Sequence, residues 1–180
     1  MRYVALLRGI NVGGKNKIAM PNLRAAFEQA GFTGVETYIN SGNVLFSTES
    51  TDTEAITLQC KTLLQEKINI DTPVAVISAP DLLAAMENAP AWWNQDANAK
   101  HNAIFVISPA TAEDIIAEVG AHKPEYEQVG SYSPIIFWTA PVKTFSRTRW
   151  SKVVGTSVYS SITIRNANTA NKLVELLRRP

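Results

Sequence analysis

The apolar residues of the first half of the chain switch between two spacings, and the order of the switches restricts the fold more than any other feature. Residues 2–7 form a short, nearly continuous apolar run, the pattern of a strand buried on both faces. A polar, glycine-rich stretch follows. Leu23, Ala26, Phe27 and Ala30 then recur at i, i+3, i+4 and i+7, with Pro21 near the start and Gly31 where a left-handed cap would fall, so a helix is expected there. Residues 35–39 and 44–46 read as strands joined by Asn40-Ser41-Gly42-Asn43, residue types that tolerate positive φ and favour a hairpin turn. Thr51 with Glu54 forms a capping-box pattern ahead of Ile56, Cys60, Leu63 and Leu64, the inner stripe of a second helix. Residues 74–78 read as a further strand.

That order, β-α-β-β-α-β over residues 1–79, is the split β-α-β plan of a ferredoxin-like α+β sandwich with two helices on one face of an antiparallel sheet. Residues 80–180 read as a second, related but less regular α+β subdomain packed against the first, with the boundary near Ala79-Pro80. Its expected elements are a helix over 81–87, a strand over 103–107 and a helix around Ile115, Ile116 and Val119 opened by Thr111 and Asp114. A strand over 134–139, a short helix over 146–153, a strand near 158–164 and a last helix containing Leu173, Val174 and Leu177 complete it. No sequence repeat links the halves, so any duplication has to be structural. All four tryptophans lie in the second half, and Trp92-Trp93 suits either a stacking platform or a packing plug.

With 180 residues, 46% of them apolar and 18% charged, the chain has enough apolar area to offset the entropy of ordering. Disordered and fibrous classes are excluded. A single cysteine, Cys60, rules out an internal disulfide, and the isolated His101 and His122 do not make a usual zinc site, so neither a metal nor a cofactor is expected. There is no run long enough to span a membrane and no signal-peptide pattern after Met1, so a cytoplasmic protein without a membrane partner is expected. The formal charge of +1 conceals an uneven distribution: residues 1–27 carry +5, residues 143–180 carry +7 and the middle carries −11. If the ends meet, they form a positive face that attracts anions, while the acidic middle discourages indiscriminate binding to nucleic acid.

Three stretches carry candidate chemistry. Arg8-Gly9-Ile10-Asn11-Val12-Gly13-Gly14-Lys15-Asn16 spells G-x-x-x-x-G-K-N from Gly9, one residue short of a phosphate loop, since Asn16 stands where Ser or Thr would hold Mg²⁺. The helix is expected only from about Pro21 and the sheet is antiparallel, so a nucleotide triphosphatase is disfavoured. Glycines that let N–H groups converge, with Arg8, Lys15 and Lys17 nearby, still make an anion nest. Asn40-Ser41-Gly42-Asn43 offers more hydrogen-bonding side chains than a turn needs. Arg165-Asn166-Ala167-Asn168-Thr169, with Lys172 one turn on, leaves a strand for the last helix. Asn166 or Asn168 can cap that helix, and Arg165 can fork onto a carboxylate or phosphate.

The runs V-A-L-L-R-G-I-N-V-G-G-K-N, M-P-N-L, T-Y-I-N-S-G-N-V-L-F and T-I-R-N-A-N-T-A-N-K-L closely resemble the domain-of-unknown-function 1697 family over nearly the whole chain. The resemblance implies a bacterial-type cytoplasmic protein of ferredoxin-like α+β architecture in two related subdomains, and no established activity. It carries over candidate positions: Arg8, Gly9, Asn11, Gly13, Gly14, Lys15 and Asn16; Asn40, Ser41, Gly42 and Asn43; Arg165, Asn166, Asn168, Thr169 and Lys172. Family members commonly have an aromatic where this chain has Ala167, which weakens a stacking role there. They often have Gln where it has Asn40, which keeps the amide.

None of the three stretches contains His, Cys or a carboxylate, the usual carriers of acid–base and metal chemistry, so no catalytic constellation is recognisable. If there is a reaction, a phosphate-bearing substrate suits Arg, Lys, Asn and Gly best. The leading expectation is a protein that binds a small phosphate- or carboxylate-bearing molecule in a cleft formed by the glycine loop, the Asn-Ser-Gly-Asn turn and the N-terminus of the last helix. The alternatives are a single-stranded nucleic-acid binder, which lacks the RNA-recognition signature, and a non-catalytic assembly module whose motifs are purely structural.

Overall fold

The computed structural model describes residues 1–179. The chain divides into two compact units, Met1–Leu82 with Glu175–Pro180, and Leu83–Val174. The architecture is α+β, with one four-stranded antiparallel sheet in each unit.

In the first unit β1 (Arg2–Leu7), α1 (Met20–Gln29), β2 (Thr33–Tyr38), β3 (Asn43–Ser47), α2 (Thr53–Leu63) and β4 (Val74–Ser78) follow one another. The strands lie in the order β2-β3-β1-β4. Tyr3, Leu7, Val44 and Phe46 of the sheet pack with Leu23 and Phe27 of α1 and with Ile56, Cys60 and Leu63 of α2. Phe32 packs against Phe46 with its ring tilted by 48°, at 4.4 Å between ring centres. Asp52, not Thr51, caps α2, because its carboxylate accepts from the N–H groups of Glu54 and Ala55 at 3.0 Å, two donors that a helix start leaves without partners. A π turn over Leu64–Ile68 extends α2 and stops at Asn69, whose φ is 56°. The chain ends meet in this unit: the Arg2 guanidinium donates to the carbonyls of Leu176 and Arg179, both at 3.2 Å. Their positive charge is partly answered by Glu36, 3.8 Å from Arg2 and 4.0 Å from Arg179.

After α3 (Ala79–Glu87), the second unit runs β5 (Ala99–Val106), α4 (Ala112–Val119), β6 (Gln128–Tyr132) and β7 (Ile135–Pro141). Three 3₁₀ turns follow, over Val142–Arg147, Trp150–Gly155 and Ser157–Ser161, and then β8 (Ile162–Asn166) and α5 (Ala167–Leu177). The order β6-β7-β5-β8 repeats that of the first sheet, with β5 in the place of β1. The equivalence reaches single hydrogen bonds. Leu7 N–H donates to the Gly42 carbonyl and Arg8 N–H to that of Pro73; likewise Val106 N–H donates to the Pro134 carbonyl and Ile107 N–H to that of Ser161.

Several expectations for this half are corrected. The strand expected over 103–107 begins four residues earlier, at Ala99, and the strand expected near 158–164 starts later and runs on to 166, over 162–166. The short helix over 146–153 is replaced by the 3₁₀ turns, and β6 is an additional strand that apolar spacing does not reveal, because Gln128–Tyr132 has no apolar alternation. The capping box of Thr111 and Asp114 is present. Trp93 is a packing residue: its indole N–H donates to the Asn102 carbonyl at 3.0 Å and its ring meets Phe137 edge-on.

The irregular 142–161 segment buries Trp150, Val153 and Val158 in the core and is anchored in its middle by one buried carboxylate. Glu127, 2% exposed, accepts from the N–H groups of Lys123, Arg149 and Trp150 and from the indole N–H of Trp138, at 2.8–3.2 Å. Four donors satisfy a charge that burial would otherwise make costly.

Candidate functional site

The chain leaves β1 at Leu7 and takes twelve residues, 8–19, to reach α1. The base of this loop is fixed to β4: Arg8 N–H donates to the Pro73 carbonyl at 3.1 Å, and the Thr72 hydroxyl donates to the Arg8 carbonyl. Its stem is closed by Asn11, whose N–H donates to the Asn16 carbonyl and whose amide oxygen accepts from Ile18 N–H. The Asn11 amide nitrogen donates to the carbonyls of Ile18 at 3.0 Å and Asn40 at 2.8 Å. One side chain therefore ties the glycine loop to the β2–β3 turn. At the tip, Lys15 N–H donates to the Val12 carbonyl, and Gly13 and Gly14 both have positive φ, 58° and 78°, which the tight turn between them requires. Gly9, Asn11 and Asn16 are also left-handed, the backbone conformation from which anion nests are built. Val12 to Lys17 are exposed.

The Asn40-Ser41-Gly42-Asn43 turn works as the loop's platform. Asn43 is fully buried and its amide donates to the Tyr38 carbonyl at 2.9 Å and the Ser41 hydroxyl at 3.0 Å. A side chain at Gly42 would place a Cβ 2.5 Å from Ile10 and 2.9 Å from Leu7, so only glycine lets loop and turn close together. Ile39 just before it holds φ at 48°, a costly conformation for a β-branched residue. The first two motifs are thus joined at one end of the first sheet. Asn11, Asn16, Gly42 and Asn43 build the support, while Arg8, Lys15 and Lys17 bring charge.

The third motif belongs to the second unit. Asn166 is the cap of α5, accepting from Thr169 N–H at 2.8 Å. Arg165 is 7% exposed, and its guanidinium donates to the Thr163 hydroxyl and the Ile164 carbonyl, both at 2.9 Å. Burial pulls it down to about 10. Asn166 and Asn168 border an open cavity of about 630 Å³ shared with Asn94, Asp96, Lys100 and His101. His101 itself is occupied: its Nδ1 accepts from Asn94 N–H, and its Nε2 lies 2.7 Å from the Asp96 carbonyl.

The sister unit shows what the fold demands at these places. Its equivalent of the glycine loop, between β5 and α4, needs only residues 107–111 and contains neither glycine nor cation. By the paired hydrogen bonds, Arg8 corresponds to Ile107, which is buried. By strand register, Arg165 on β8 faces Ala103 as Ile77 on β4 faces Val4, so it too corresponds to an isoleucine. Both motif arginines stand where the same topology is built elsewhere with an apolar side chain.

The aromatics of the central strands, Tyr3, Phe46, Phe105, Phe137 and Trp138, are all buried, whereas a single-stranded nucleic-acid binder of this kind stacks bases on exposed aromatics of its central strands. Among the described residues no three His, Cys, Asp or Glu side chains cluster to hold a metal, and no helix is long and apolar enough to cross a membrane. Cys60 is buried, and burial pushes its thiol up to about 12, away from nucleophilic use.

Among solved structures, the conserved bacterial protein SP0830 from Streptococcus pneumoniae is similar over 98% of both chains, at 33% identity and a TM-score of 0.88. No curated protein matches the chain. A family model described as "Protein of unknown function (DUF1697)" matches residues 1–137, well over half the chain, and the protein belongs to that family.

Proposed function

We propose that the protein binds a small phosphate- or carboxylate-bearing molecule at the glycine loop, with the backbone N–H groups of Gly9, Gly13 and Gly14 as cradle and Lys15 and Lys17 as counter-charges. One observation carries this reading: the same strand-to-helix connection is made in twelve residues here and in five in the sister unit, so the fold does not require the extra length, the glycines or the cations. Loops held on a rigid scaffold are where binding residues concentrate. Asn11 and Asn43, with their amides engaged on backbone carbonyls, support a preformed cradle, which lowers the cost of ordering it on binding. The reading is of a binder; the loop lacks the carboxylate, imidazole or thiol that would move a proton. A reducing cytoplasm suits a chain whose one thiol is buried.

Thermal unfolding in rising inorganic phosphate tests it, with chloride at equal ionic strength as reference. A saturable rise is expected, approaching about 2.7 kcal/mol at a hundred times the dissociation constant. It should vanish in the Lys15→Ala/Lys17→Ala double variant. An equal rise in wild type and variant would be the general effect of an excluded salt and would overturn the reading.

A further inference from the structure

Lys17 belongs both to the glycine loop and to a groove of about 480 Å³ in the first unit. One wall is the loop's exit at Lys17 and Ala19, another is the side of α1 carrying Asn22 and Ala25, and the far wall is the π turn with Lys67. The charged side chains on this lining are Lys17 and Lys67, both exposed, and among the described residues neither lies within ion-pair distance of an acid. The rest of the lining carries no charge, and Ala19, Ala25 and Ala26 are its smallest side chains. The π turn has a part in this. Its wider winding shifts the residues after Leu63 out of phase with the α2 stripe, as such turns commonly do at functional sites, and Lys67 comes to border the groove. The start of α1 adds no opposing charge: its first turn contains no acid and Ala19 provides no side-chain cap.

We infer that the molecule held by the glycine loop carries two anionic groups joined by a short, slim spacer. The first group sits on the loop with Lys15 and Lys17, the spacer lies along the uncharged lining, and the second group meets Lys67. This rests on the anion-binding reading of the loop and goes on to name the class of ligand.

Titration calorimetry on the full chain with methyl phosphate and with alkane α,ω-bisphosphates of increasing length is the test. One spacer length should bind the wild type about fivefold more tightly than methyl phosphate, the effect of one added exposed charge pair. Lys67→Ala should remove that advantage and leave methyl phosphate binding unchanged. Protection of Cys60 from a thiol reagent verifies that the variant's first unit is folded. If methyl phosphate binds but no bisphosphate binds more tightly, or the advantage survives Lys67→Ala, the two-anion inference is wrong while the loop reading stands. If methyl phosphate does not bind the wild type at all, both fall.

Discussion

Between β3 and β4 the first unit runs the helix α2; between β7 and β8 the second runs three 3₁₀ turns, although both pairs of strands flank the same arrangement of central strands. A helix satisfies its interior backbone groups by itself and needs only an apolar stripe, here Ile56, Cys60 and Leu63, and a cap, here Asp52. Short 3₁₀ turns leave more N–H groups to be satisfied from outside, and Glu127 supplies acceptors for two of them together with the Trp138 indole. The crossing is therefore stabilised by apolar area in both units, through Trp150, Val153 and Val158 in the second, where a buried polar hub is added. The difference also works in reverse at the opposite end of the architecture: the first unit spends twelve residues and three cations on a connection that the second makes in five residues with no cation.

Each unit has its own natural reporter, since Cys60 lies in the first and all four tryptophans in the second. The largest effect is expected from Glu127→Ala. It strands four donors in the interior and should cost about 3–5 kcal/mol, read as a fall in the urea midpoint of tryptophan fluorescence. A loss below about 1 kcal/mol would show that solvent replaces the carboxylate and that the hub is not what holds the 3₁₀ segment. Next comes Ile56→Ala under α2, 1% exposed, with about 2–5 kcal/mol of lost packing. It should raise the rate at which a thiol reagent reaches Cys60 near pH 8, because the buried thiol, pushed up to about 12, reacts only when its surroundings open.

How much of this contrast the sequence displays follows from what each unit relies on. The first unit's elements rest on periodic apolar area, so β1, α1 and α2 can be read from spacing within a residue or three. The second unit's crossing rests on scattered apolar contacts and on Glu127, and nothing near Glu127 in sequence shows that its carboxylate meets Trp138, Arg149 and Trp150, residues 11, 22 and 23 positions away. β6 escapes for a related reason: as a partly exposed edge strand, Gln128–Tyr132 has no buried stripe to pattern. At the candidate site the glycine loop and the Asn-Ser-Gly-Asn turn announce themselves by residue type, while the cap of α5 is narrowed only to Asn166 or Asn168, and the structure selects Asn166. The link of Asn11 to Asn40 and the approach of Lys67 to Lys17's groove depend on topology and on a π turn, neither of which spacing encodes. The correction from Thr51 to Asp52 is of the same kind, since both residue types cap and only backbone geometry decides.

Smaller effects sharpen the comparison further. Asp52→Ala and Thr111→Ala remove one cap in each unit and should each cost about 1 kcal/mol, the first seen by Cys60 reactivity and the second by tryptophan fluorescence. Equal costs would mark caps as a feature common to both units, in contrast to their unlike crossings. Smallest of all, Lys15→Ala and Lys17→Ala should leave the Cys60-monitored stability within about 0.5 kcal/mol of wild type, because both side chains are exposed and the loop's base is held by Asn11, Thr72 and Pro73. A larger loss would make the lysines part of the scaffold and return the loop to a structural role.

The most direct measurement is a titration of the ¹⁵N-labelled protein with inorganic phosphate at constant ionic strength, following each backbone amide. Saturable shifts centred on Gly9, Gly13, Gly14 and Lys15, with the equivalent connection at residues 107–111 unmoved and the response abolished in the Lys15→Ala/Lys17→Ala variant, are the predicted result. Linear, unsaturated drifts of equal size in both connections would mean that the longer loop is no anion site.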